Sequence, residues 1–71
     1  MTRDEFLNRL RRGLDGLPNE EIAEIMSDYA AHFVESEERG RSETEVATAL
    51  GDPASIAREL IHAPFQPLQV G

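Results

Sequence analysis

Seventy-one residues suffice for one domain, and a chain this short buries only about 60% of its unfolded surface, so its stability margin is thin. The absence of cysteine removes disulfides, thiolate chemistry and the usual zinc sites, and it fits a reducing compartment. Seven basic residues, all arginine, stand against fourteen acids, and the net charge of −7 opposes phosphate backbones and anionic lipid headgroups.

A first helix is expected after Thr2, whose hydroxyl can accept from the amide at Glu5 while the Glu5 carboxylate reaches back, a capping box. At 100° per residue Phe6, Leu7, Leu10, Leu14 and Leu17 fall on one arc, the mark of a helix with one buried stripe. Gly16 then offers a left-handed stop and Pro18 blocks continuation.

A second helix is expected from 18 or 19 to 39, with Glu20 and Glu21 in its first turn, where the helix dipole favours negative charge. Its inward stripe reads Ile22, Ile25, Met26, Tyr29 and Phe33, opposite Glu20, Glu24, Asp28, Glu35 and Glu38. Gly40 closes it. Ser42 and Glu45 form another capping box before a short helix with Val46, Ala47 and Leu50 inward, which Gly51 ends. Asp52 caps a fourth helix with Pro53 at its first position, and Ile56, Ala57, Leu60 and Ile61 form its inner stripe until Pro64.

The fold expected is therefore all-α, a small bundle of four helices, two longer and then two short in a helix-turn-helix-like arrangement. Residues 1–63 read as the helical domain and 64–71 as a non-helical, proline-containing tail or linker with Phe65 and Leu68 as its large apolar residues. No stretch approaches the ~20 apolar residues that span a bilayer, and the charged start lacks a signal-peptide core, so the segment reads as soluble.

No reacting constellation emerges. The acids of the second helix share a face, but a convex helix diverges its carboxylates, whereas hard cations need about six converging oxygens. That face reads as solvated, with Arg9, Arg11 or Arg12 as pairing candidates. His32 follows Asp28 by one turn, and an ion pair there would raise its pKa. Ser27 and Ser36 lie on the same exposed helix and not at a nucleophile turn. His62 reads as a partner of its helix dipole, and Tyr29 and Phe33 as core, with the tyrosine hydroxyl at the domain edge. No metal and no cofactor are implied.

The two short helices have the outline of a DNA reader without its charge. The segment 42–62 holds one arginine, Arg58, against Glu43, Glu45, Asp52 and Glu59, where a reader needs phosphate and base contacts.

Taken in order, Phe6-Leu7 and Leu10, Leu17-Pro18 followed by acids, Asp28-Tyr29 with His32-Phe33, Gly40, and Leu50-Gly51-Asp52-Pro53 with Ile56-Ala57 resemble the bacterial HAAS family, the HTH-associated alpha-helical signalling domains. The resemblance spans residues 2–62. It implies a cytosolic, non-enzymatic regulatory module associated with PadR-like transcription regulators, often N-terminal to membrane-spanning segments, so that a longer product would be membrane-tethered. Family-like positions here are Leu17, Pro18, Asp28, Tyr29, Phe33, Gly51, Asp52 and Pro53, most of them structural.

The leading expectation is a signalling or adaptor module that binds a PadR-like regulator, with Glu24, Asp28, His32 and Glu35 as candidate contacts and no direct nucleic acid or membrane contact. The alternatives are direct DNA binding through residues 53–62 and a structural homo-oligomer built on an apolar helix stripe or the 65–70 segment.

Overall fold

Four helices make up the described part of the chain, residues 1–62, in a computed structural model: α1 (Arg3–Gly13), α2 (Asn19–Glu38), α3 (Glu43–Leu50) and α4 (Pro53–His62). The fold is an all-α bundle. The expected tail, with Phe65 and Leu68, and the expected boundary at residue 63 lie outside the described residues.

The helix starts follow from local hydrogen bonds. Thr2 caps α1, its hydroxyl accepting from the Glu5 amide at 3.2 Å while the Thr2 amide donates to the Glu5 carboxylate at 3.1 Å. Ser42 and Glu45 repeat the arrangement at α3, both bonds at 3.1 Å. Each reciprocal pair satisfies two amides that a helix start leaves without partners. At α4 the Asp52 carboxylate accepts from the Ala54 amide at 3.4 Å and from the Ser55 hydroxyl at 3.2 Å. Helix α2 has no side-chain cap. Pro18 precedes it, and Glu20 and Glu21 supply negative charge against the dipole instead.

α1 is shorter than the apolar arc suggests. It stops at Gly13, and Leu14 takes φ −88 and ψ 0, its amide donating to the carbonyls of Leu10 and Arg11. The Leu17 amide donates to the Leu14 carbonyl at 3.1 Å, so the chain turns tightly before α2. Leu14 is nevertheless fully buried and Leu17 half-buried. Both reach the core from the connection, and a turn can present an apolar residue on the same side as a helix would.

The core is one cluster: Phe6, Leu10, Leu14, Tyr29, Phe33, Val46, Ala47, Ala57 and Leu60. Phe6 sits between two aromatic neighbours of α2, its ring centroid 5.4 Å from Phe33 and 6.2 Å from Tyr29 in tilted geometries. Such tilted pairs bring a ring edge toward a ring face. α1 packs on α2, α3 and α4, most extensively on α4, and α2 packs on α3 as well. The two short helices thus gain their burial chiefly from α1 and, for α3, also from α2.

Two glycines have different physical reasons. Gly51 ends α3 at φ 102 and ψ −163, a region essentially closed to residues with a Cβ, and its amide still donates to the Ala47 carbonyl. Gly13 is needed for space: a Cβ there would lie 2.5 Å from the Ala57 Cβ, so the α1–α4 crossing depends on its absence. Pro53 is fully buried beneath the turn after Gly51.

Two expected positions differ. Ile61, placed on the inner stripe of α4, is 39% exposed. It lies 100° from Leu60, past the edge of the arc that faces α1. Ser36, read as exposed, is buried, because its angular position on α2 falls between those of Ile25 and Tyr29.

Candidate protein-interaction surface

The surface open to a partner is set by how α2 is covered. Twenty residues give it a length of about 30 Å. Its inward side holds Tyr29, Phe33 and Ser36, with Ile22, Ile25 and Met26 half-buried against the core. Turned away from that side, Glu24, Asp28 and Glu35 are exposed, and Glu20 and Glu38 extend the same acidic strip toward the two ends. His32 is half-buried at the seam between the strip and the core. The structure therefore places Glu24, Asp28, His32 and Glu35 on one helix, at heights spanning about three turns.

These side chains do not form a closed site. The Asp28–His32 ion pair is not formed, and the ion pairs among the described residues belong to Arg3, with Asp4 at 3.8 Å and with Glu37 at 3.4 Å. Arg9, Arg11 and Arg12, considered above as partners of the acidic strip, make none within 4 Å there. The reason is their place on α1: Arg11 and Arg12 line an open groove between the end of α1 and the start of α2, beside Ile22, Ala23 and Met26. Among the described residues no group of three or more His, Asp or Glu side chains is placed to share a metal ion.

Arg3 carries the polar junction that sequence reading missed. Its backbone amide donates to the Glu43 carboxylate at 2.8 Å, and its guanidinium donates to Glu37. The first turn of α1, the last turn of α2 and the first turn of α3 are joined at this point. A carboxylate on the amide end of α1 also meets the positive end of that helix dipole. Periodicity within one helix says nothing of partners 34 and 40 residues away, so no signal in the sequence singled these out.

Among the described residues, three groups have displaced proton affinities. The hydrogen bonds from Thr2, its backbone amide and then its hydroxyl, hold the Glu5 carboxyl below its ordinary range, and those from Ser42 do the same for Glu45. Burial pushes the Tyr29 phenol up, helped by the negative charges of Glu59 and Asp28. All three effects belong to caps and core. None assembles an acid beside a base and a nucleophile.

The helix-turn-helix outline lacks a cationic face. On α4 both Arg58 and Glu59 are exposed, so the lone arginine is offset by its neighbour.

A sequence profile of the HAAS family matches residues 5–59, from the first capping box through most of α4. The chain belongs to the HAAS family. HAAS domains are small helical, signalling-associated modules and not a known enzyme family. The family assignment also favours protein–protein association. No curated protein and no solved structure matches the chain significantly. Among the described residues no helix is long and apolar enough to cross a membrane.

Proposed function

We propose that this HAAS domain is a non-enzymatic adaptor that binds a protein partner through the acidic strip of α2, with a PadR-like transcription regulator as the partner class. The observation that carries the proposal is the separation of roles on α2. One side is consumed by the core, while Glu24, Asp28 and Glu35 stand exposed and unpaired among the described residues, with His32 at the seam. An array of this kind steers a basic surface toward it and fixes the orientation of docking more than it adds raw affinity. Regulation follows by occupancy: the domain changes the regulator's activity by covering a surface on it and does not itself touch DNA.

The test is binding of the purified domain to a PadR-like regulator from the same genome at low and at moderate salt. A complex whose association rate falls as salt rises is the expected result. No complex at either salt concentration would defeat the proposal. A mobility shift with generic duplex DNA separates the competing reading, since a direct reader loses affinity steeply with salt and the adaptor shows no shift at all.

A further inference from the structure

We propose that the groove between α1 and the first half of α2 is a socket for α2 of a second copy of this chain, in an antiparallel two-fold dimer. The groove is open, with a volume of about 860 Å³; Arg11, Arg12 and Asp15 line it from the end of α1 and the turn after it, a net positive wall, and Asn19, Ile22, Ala23 and Met26 line it from α2. Val34 supplies the matching projection. At 49% it is the most exposed of the large apolar side chains among the described residues.

Socket and projection lie on one flank of one helix. At 100° per residue Val34 is only about 20° around α2 from Ala23, and about 16 Å further along it. A two-fold axis perpendicular to α2, passing between the levels of Asp28 and Tyr29, carries each Val34 to the level of Ala23 in the other copy. Both projections and both sockets are then filled at once, and the contact closes on itself without growing into a filament. Ala23 and Ala30 let the two backbones approach to the short end of the usual 8–10 Å between packed helices.

Charge favours the same register. The two-fold operation brings Arg11 and Arg12 to the level of Glu38 in the second copy, a residue exposed and free of ion pairs among the described residues. In a parallel arrangement those arginines would instead meet Glu20 and Asn19, and Val34 would face Val34, with both sockets left open. Glu24, Asp28 and Glu35 point away from the dimer flank and of the acidic strip only its end residue Glu38 enters the dimer contact, so Val34→Glu tests the dimer without touching the residues of the adaptor reading.

The contact is small, below the roughly 1,200 Å² of standard stable interfaces, so a weak, reversible dimer is expected. Sedimentation equilibrium of the full chain from about 10 μM to about 1 mM spans that range. Val34→Glu should raise the dissociation constant about a hundredfold, since two side chains are lost per dimer, and leave the thermal midpoint unchanged because Val34 is exposed in the single chain. Arg12→Glu should weaken the dimer about tenfold, and adding Glu38→Arg should restore it to within about threefold of the parent. A monomer at every concentration would overturn the proposal. So would a dimer indifferent to Val34→Glu, which would place the contact elsewhere on the chain.

Discussion

α1 and α2 make opposite use of their length. α1 has eleven residues, packs on all three other helices and contributes Phe6 and Leu10 to the fully buried core. α2 has twenty, yet leaves an acidic strip and an apolar flank open. What makes a helix structural here is the number of sides that are covered, and the long helix is the one with surface to spare. Substitutions in α1 should therefore act on the fold, and outward substitutions in α2 on association.

The largest expected effect is at the centre of α1. Phe6→Ala removes a fully buried ring that meets both aromatic residues of α2, and core truncations of this type cost about 3–5 kcal/mol. A domain this small has little more than that in total, so circular dichroism should show no cooperative melt at 37 °C. Phe33→Ala should do the same from α2, which would show that the inward side matters and not the helix.

Next comes the α1–α4 crossing. Gly13→Ala gains about 1 kcal/mol of helix propensity but forces a methyl against Ala57, and overpacking of this kind costs about 1–3 kcal/mol. Net destabilisation is expected in urea titration. In the double variant Gly13→Ala with Ala57→Gly, the steric part should vanish, giving a coupling of at least about 0.5 kcal/mol; strict additivity would place the crossing elsewhere.

The caps come third. Thr2→Ala and Ser42→Ala should each cost about 1 kcal/mol, read as equal falls in urea midpoint. The same groups set the pH dependence. Because Glu5 and Glu45 are held low in the fold, the unfolded chain takes up their protons first, at about its ordinary value of 4.5. Their stabilisation is present above that value and is lost as pH falls through the lowered folded values. Tyr29 behaves in reverse: its raised phenol stabilises the fold below 10.0, and that contribution disappears as pH rises through the folded value. Tyr29→Phe should flatten the alkaline limb of a stability profile and leave the acid limb intact, whereas Glu5→Gln with Glu45→Gln, which removes the titrating groups themselves, should flatten the acid limb alone.

Legibility in the sequence follows the range of the interaction. Thr2 with Glu5 and Ser42 with Glu45 are three residues apart, so both capping boxes could be read directly, as could the stops at Gly40 and Gly51. The inward stripes of α2 and α3 were equally clear, since periodicity reports which side of a helix is apolar. The end of α1 was misjudged because Leu14 and Leu17 suit a turn as well as a helix. Gly13 escaped notice because only the crossing with Ala57 gives it meaning, and the Arg3 junction because its partners lie on other helices. Ile61 and Ser36 sit at the margins of their arcs, where small differences in helix placement decide burial. The acidic strip could be located from sequence, but not the fact that the arginines of α1 leave it unpaired.

The separation of fold from surface is tested most directly by the triple reversal Glu24→Lys, Asp28→Lys and Glu35→Lys, measured for thermal midpoint and for association rate with a PadR-like regulator in parallel. Exposed substitutions should leave stability within about 0.5 kcal/mol per site, while association slows at least about tenfold at low salt. An unchanged rate with an intact fold would contradict the account, and so would collapse of the helical bundle.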